Sequence, residues 1–289
     1  MIITILSGKG GTGKTTVSTN LALSLKNVQL LDADVEEPDS YIFIKPEFGD
    51  DYQPVTTNVP VIDEDKCTQC RKCVEFCEYN ALSLMLDKVL VYPELCHNCG
   101  GCKRVCPTGA ITEKEREIGQ INQAEVNSEL EFWQGLLNIG EETAVPVIEI
   151  LKENINNNKN VIIDAPPGTT CPTIEAALDS DFCLLVTEPT PFGLNDLKMS
   201  VDVIKQLDIP FAVIINRAED MYDQIIEDYC DNEGIEVIMK IPFSREIAEL
   251  YSKGIPFVEK MVDWKDKFKN LYKKISSRDV VVNKELSIK

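Results

Sequence analysis

Histidine is almost missing from this chain: His97 is the single one in 289 residues. That excludes acid–base catalysis built on imidazole pairs. Basic residues are also scarce, with 29 Lys and Arg against 48 Asp and Glu and a net charge of −19. A nucleic-acid backbone would be repelled by such a surface, and an anionic membrane surface is disfavoured for the same reason. A protein partner with a basic patch remains compatible. Long apolar runs are absent too, none reaching the ~18–20 residues that a membrane span needs. The opening MIITILS lacks a basic flank and is too short for a signal peptide, so a cytoplasmic chain is expected.

What is present is a composition for burial and for metal. Hydrophobic residues make up 44%, enough for one large domain and an insert. Eleven cysteines, an odd number, point in such a chain to metal ligation before disulfides.

The pattern along the chain is that of alternating strands and helices. Residues 2–6 are β-branched and continuous, as in a strand covered on both faces. Thr15–Lys26 predicts a helix with Val17, Leu21 and Leu25 inward, and 28–32 a second strand ending on Asp32. Alternation stops between about Asn58 and Ile118 and then resumes. Strands are expected at Val161–Asp164, Phe182–Thr187, Phe211–Asn216 and Val237–Ile241, with helices between them and at Asp263–Ile275. The expected fold is therefore α/β, a doubly wound, mostly parallel sheet. It is discontinuous over 1–57 and 119–289, with 58–118 inserted.

Between the first strand and helix lies Gly8-Lys9-Gly10-Gly11-Thr12-Gly13-Lys14-Thr15, which satisfies G-x-x-x-x-G-K-[ST]. The glycines let backbone N–H groups cradle phosphates beside a helix N-terminus. Lys14 supplies charge at the β/γ-phosphates, and the Thr15 hydroxyl is placed for Mg²⁺. With Thr16 this stretch, KGGTGKTT, resembles the deviant Walker A loop of the MinD, ParA, Mrp-type and nitrogenase iron protein ATPases. The resemblance implies binding of ATP and ADP with Mg²⁺, ATP hydrolysis, and an ATP-bridged homodimer into which Lys9 reaches in trans. It extends to Asp32 and Asp34, similar to the family's switch I, with Asp34 positioning water and Asp32 supporting the metal. Asp164–Gly168 (DAPPG) resembles switch II, with Asp164 near Mg²⁺ and the Gly168 N–H on the γ-phosphate. Asn216, Arg217 and Pro242 fall where the family closes over adenine.

The inserted segment holds Cys67, Cys70, Cys73 and Cys77 in C-x₂-C-x₂-C-x₃-C, repeated at Cys96, Cys99, Cys102 and Cys106 before Pro107. This is the run of bacterial two-cluster ferredoxins, whereas structural zinc sites use paired C-x₂-C units. The resemblance implies a small α+β domain with two 4Fe–4S clusters. One would take Cys67, Cys70, Cys73 and Cys106; the other would take Cys96, Cys99, Cys102 and Cys77. Glu78 departs from the proline usual after the fourth cysteine. His97 is expected beside a cluster and not as its ligand. Cys183 and Cys230 read as core, and Cys171, just past the second switch, is left open between ligand and packing roles.

Trp264, Phe268, Leu271, Tyr272 and Ile275 fall on one face of the last predicted helix among lysines. A membrane-targeting helix of the MinD kind and a helix packed on its own domain both fit such a face, and the acidic chain favours the second. The leading expectation is an ATP-gated redox protein acting on a redox or metalloprotein partner. An iron–sulfur carrier and a positioning ATPase are the alternatives.

Overall fold

The computed structural model describes residues 1–286. In chain order its first elements are β1 (Ile2–Leu6), α1 (Lys14–Ser24), β2 (Val28–Asp32), α2 (Ser40–Ile44) and β3 (Gln53–Ile62). Then come α3 (Lys72–Phe76), β4 (Leu82–Met85), β5 (Lys88–Val91), α4 (Gly101–Val105), β6 (Ile111–Asn127) and β7 (Leu130–Leu137). The chain continues through α5 (Val145–Glu153), β8 (Asn160–Asp164), α6 (Cys171–Ala177), β9 (Phe182–Thr187), α7 (Pro191–Gln206) and β10 (Phe211–Ala218). It closes with α8 (Gln224–Glu233), β11 (Val237–Pro242), α9 (Arg245–Ser252) and α10 (Val262–Leu286).

One nine-stranded sheet organises the chain, in the order β11-β10-β9-β1-β8-β2-β7-β6-β3. From β11 to β7 every neighbouring pair is parallel, and β6 adds antiparallel to β7 and to β3. The parallel strands are apolar on both faces because helices cover both. Ile3, Ile5, Ile162 and Leu184 meet Val17 and Leu21 of α1 and Phe268 of α10 in one core. Val161, Ile163, Cys183 and Leu185 meet Ile148 of α5 and Val201 of α7 in the other. Loops that follow β1, β2, β8 and β10 therefore gather at one edge, where open α/β sheets take their ligands.

Trp264, Phe268, Leu271 and Ile275 are all buried in the first core. Each such burial is worth roughly 1.5–3 kcal/mol, so lifting α10 onto a membrane would forfeit four of them. The packed reading of this face holds over these turns, and no helix among the described residues is long and apolar enough to cross a membrane.

The sheet's antiparallel edge differs from the sequence expectation. Strands β3 and β6 pair from Gln53↔Ile121 to Ile62↔Ile111, and so run straight through the borders drawn at 58 and 118. Only 63–110 stands off the sheet, and its base is closed by the Asp63 N–H bonded to the Ala110 carbonyl at 2.8 Å. Such a meeting of guest termini is what makes an insertion tolerable. Within it α3 lies against α4, and β4 pairs with β5 (Leu82↔Val91). The segment has a twofold internal repeat: each cysteine of the first run has its equivalent 29 positions later, as Cys67 has Cys96. The backbone follows suit. Gln69 and Arg71 have φ of 53° and 65°, and their equivalents Asn98 and Gly100 have 51° and 64°.

Candidate functional site

The loop after β1 is held from behind by β10. Asn216 Nδ2 donates to the Thr12 carbonyl at 2.7 Å, and Ser7 Oγ donates to the Lys9 carbonyl at 2.6 Å. Gly13 has φ +100°, and a Cβ there would stand 2.2 Å from Asn216 Nδ2, so both backbone and neighbour demand glycine. Lys14, the first residue of α1, is buried. Among the described residues no carboxylate lies within ion-pair distance of Lys14 or of the half-exposed Lys9. Thr12 Oγ1 is buried without a hydrogen bond.

Four aspartates converge in front of this loop. Asp32 accepts from the Ser40 N–H (3.0 Å) and the Asp34 N–H (3.3 Å). Ser40 Oγ donates to Asp164 Oδ2 at 3.0 Å, and Thr15 Oγ1 donates to Asp39 Oδ1 at 2.7 Å. Burial, reinforced by Asp164, pushes the Asp32 carboxyl well above the carboxylate range. Burial raises Asp34 to about 7 and Asp164 to about 6, with Lys14 opposing and the other aspartates adding to the shift. Asp39 is raised by burial against its bond from Thr15.

Among the described residues no three of these carboxylates are placed around one ion, but one or two of them with the Thr15 hydroxyl suit a water-rich cation such as Mg²⁺. Asp164 Oδ1 is buried with no hydrogen bond, while the nearby Thr15 and Ser18 hydroxyls donate to Asp39 and to the Thr15 carbonyl. A metal would relieve both the unpartnered oxygen and the mutual repulsion. Of this set, Asp32, Asp34, Asp164 and Thr15 were expected from sequence, but Asp39 was missed. Its signal was thin, one more acid in an acidic stretch ahead of α2.

A pH dependence follows. Asp34 titrates near 7 when folded and near ~3.9 when unfolded, so the folded state holds the extra proton between those values. Its contribution to stability is then greatest at low pH and falls as pH rises from about 4 to about 7. Thermal unfolding of the nucleotide-free protein should show a steeper loss of midpoint over that window than Asp34→Asn does. Equal slopes would remove Asp34 as the cause.

Two of the expected nucleotide contacts have protein partners in this structure. The Gly168 N–H, expected on a γ-phosphate, donates instead to the Ser7 carbonyl at 3.0 Å. Gly168 has φ +92°, and the bond ties the loop after β8 to the start of the phosphate loop, so a phosphate contact requires it to open. The Asn216 amide N–H is likewise bonded to the phosphate loop, at the Thr12 carbonyl. Asn216, Arg217 and Pro242 do line one cavity of about 200 Å³ with Gly13, Thr15 and Thr16. Phe243 and Tyr251, not singled out from sequence, share that wall and supply the apolar faces a planar base would stack on.

The eight clustered cysteines surround two cavities. Cys67, Cys70, Cys73 and Cys106 line a tight one. Cys77, Cys96, Cys99 and Cys102 line a wider one of about 430 Å³. Each cavity thus takes three cysteines of one run and the fourth of the other. Among the described residues no three such side chains are placed to hold a single metal ion; each quartet encloses a space instead. Burial raises the Cys73 and Cys96 thiols and takes Cys102 to about 11, so they stay neutral thiols unless a cationic centre between them draws the protons off. The Val74, Asn98 and Lys103 N–H groups face the sulfurs of Cys73, Cys96 and Cys102, and the Ala110 N–H reaches Cys106 Sγ at 3.3 Å. His97 stacks on Tyr79 with centroids 3.6 Å apart and lines the wider cavity. Cys183 and Cys230 are buried core residues, whereas Cys171 is exposed at the start of α6.

Comparison with known proteins places this geometry. The profile of the CobQ/CobB/MinD/ParA nucleotide-binding domain matches residues 3–257. An uncharacterized protein of Methanocaldococcus jannaschii is 34% identical over 264 residues, 90% of this chain and 92% of its own. A protein of Pyrococcus horikoshii named iron-sulfur cluster carrier protein is 25% identical over 281 residues, covering 89% of this chain and 78% of its own. Among solved structures, the septum site-determining protein MinD from Pyrococcus horikoshii, complexed with Mg-ADP, superposes with a TM-score of 0.55 at 18% identity, over 95% of each chain.

Proposed function

The chain belongs to the CobQ/CobB/MinD/ParA family of P-loop nucleotide-binding proteins, and from that premise we propose that it is an ATP-driven homodimeric switch that gates electron transfer through two 4Fe–4S clusters. The observation that carries this reading is the crossed grouping of the eight cysteines around two cavities, in a segment carried between β3 and β6, with β6 in turn paired to β7. The Leu137 N–H at the end of β7 donates to the Val35 carbonyl at 2.8 Å, next to Asp34. The segment 63–110 is then a ferredoxin-like insert in an ATPase domain formed by the rest of the chain.

In this reading the loop Gly8–Thr16 binds the phosphates and Lys14 neutralises the β/γ charge. Thr15, Asp32 and Asp164 would hold Mg²⁺, with the Thr15 hydroxyl, now bonded to Asp39, free to turn to it. Asp34 orients the attacking water, and Asn216, Arg217 and Pro242 enclose the base. Two such chains close face to face over ATP, each placing Lys9 on the other's phosphates. The clusters, when bound, supply one-electron transfer to a redox partner. The chain's part is to hold them between partly buried cysteines and to change their surroundings as the nucleotide site closes. Only a few kcal/mol of differential binding between open and closed forms is required.

The test is anaerobic: iron counting, and EPR-monitored redox titration of the reduced protein with and without Mg-ATP. About eight irons per chain and midpoints that move with nucleotide are expected. Iron at that level with unmoving midpoints would end the gating reading. A second reading, an ATP-dependent iron–sulfur carrier, is favoured by the name of the Pyrococcus horikoshii relative. Rapid transfer of iron and sulfide to an apo-protein, and loss to mild chelators, would select it. The positioning reading is weakened by the buried face of α10 and requires ATP-dependent binding to liposomes.

A further inference from the structure

Ion pairs join β6 to the cysteine segment, Lys103 with Glu113 and Arg116 with Glu94, and among the described residues the arginine alone also holds the loop after β7. Arg116, on β6, gives a two-pronged pair to Glu141 at 2.8 and 2.5 Å, and its second nitrogen reaches Glu94 at 3.4 Å. Glu94 lies two positions before Cys96, in the short 3-10 turn Pro93–Leu95. Glu141 lies in the loop that follows β7. That loop is sewn to both sides of the bridge: the Leu137 N–H donates to the Val35 carbonyl, and the Asn138 N–H donates to the Ile118 carbonyl, both at 2.8 Å.

The geometry points to Arg116 as a relay that carries the state of the nucleotide site to the cluster held by Cys77, Cys96, Cys99 and Cys102. This rests on the gating reading above and names the route by which gating acts. When Asp34 and its neighbours gather on a metal–nucleotide, Val35 moves with them, and the β7 loop that Val35 holds moves too. Glu141 then pulls on a guanidinium whose other arm rests two residues from a cluster cysteine.

Two features make this pair more than a surface contact. The side chains of Arg116 and Glu141 are only 23% and 7% exposed, and a two-pronged pair in such a place is weakly screened and fixed in direction. The arginine is also near enough to Cys96 for their charges to interact, after the larger effects of Glu141 and Glu94. A positive charge drawn closer to a cluster favours its reduced form, and one drawn away disfavours it. Among the described residues the cavity lined by Cys67, Cys70, Cys73 and Cys106 has no equivalent pair. The position 29 residues before Glu94 is Asp65, and it pairs with no residue of β6 or β7 among the described ion pairs.

The experiment compares the wild type with Arg116→Gln, Arg116→Lys and Glu94→Gln. Each is assayed for iron per chain, Mg-ATP retention, and cluster midpoints with and without Mg-ATP. Iron and ATP retention should stay at wild-type levels. The nucleotide-induced shift of one cluster should be lost in Arg116→Gln, partly restored in Arg116→Lys, and weakened in Glu94→Gln. A full shift in Arg116→Gln would overturn the relay and leave gating standing. No shift in the iron-replete, ATP-bound wild type would overturn gating and the relay together. If Arg116→Gln loses iron, Glu94→Gln decides, since it keeps the Arg116–Glu141 pair; an undiminished shift there overturns the relay.

Discussion

Lys9→Ala is expected to bind Mg-ATP and to hydrolyse it about 10³–10⁵-fold more slowly than the wild type, a barrier increase of roughly 4–7 kcal/mol. The argument begins with where the lysine stands. It sits on the phosphate loop, its carbonyl fixed by Ser7 Oγ, half-exposed, with no carboxylate at ion-pair distance among the described residues. In a chain carrying 48 acidic residues, a loop lysine left without an acidic partner is conspicuous. In the proposed reading Lys14, buried at the first turn of α1, serves the phosphates of its own subunit. A second cation on the same loop can reach phosphate charge across a closed dimer, where developing charge on the transferred group is what needs stabilising. Single-turnover hydrolysis and nucleotide retention, with Lys14→Ala as the variant that loses retention, separate the two lysines. Mixing Lys9→Ala with a hydrolysis-defective Asp34→Ala chain should recover one competent site per dimer if Lys9 acts in trans. Wild-type hydrolysis by Lys9→Ala alone would remove that role.

Local chemistry was legible in the sequence, and long-range pairing was not. The Gly8–Thr15 loop and both cysteine runs carry their meaning in fixed short spacings, so their residues could be named before any fold was known. The parallel strands were legible for a related reason: burial on both faces leaves continuous apolar runs such as 2–6 and 182–187. Strand β6 hid itself. Its stretch Glu113–Glu117 is charged because it lies near the sheet's antiparallel edge, where solvent covers what a helix covers elsewhere, and it reads as a break. Missing β6 and β7 also placed the insert's borders inside strands. Asp39 and Arg116 escaped for the same cause, since their importance lies in partners supplied by distant segments, Thr15 for one and Glu94 and Glu141 for the other. The Gly168 contact differed because a motif gives a residue's place and not the conformation of its peptide.

The cysteine pairing gives a result of equal size. Cys106→Ala is expected to cost the cluster lined by Cys67, Cys70 and Cys73, about four of eight irons, and Cys77→Ala to cost the other. Single losses alone would not tell a crossed arrangement from a sequential one, in which Cys106 serves its own run. Double substitutions do. In the crossed arrangement Cys106→Ala with Cys67→Ala removes no more iron than either alone, because both strike one cluster, whereas Cys106→Ala with Cys96→Ala empties both. A sequential arrangement reverses the two outcomes. The physical basis is that ligands of one centre act as a unit and those of separate centres add. The cavity linings favour the crossed result: α3 and α4 lie side by side, and the fourth cysteine of each run, Cys77 or Cys106, lines the cavity of the other run's three. Thiols at Cys73 and Cys102 are buried and raised, so an emptied site leaves neutral sulfhydryls in a small core, and the hairpin should survive the loss of one cluster. Iron per chain, read with the EPR of whichever cluster remains, therefore reports pairing without unfolding. Equal iron loss from both double variants would show that neither grouping describes the sites.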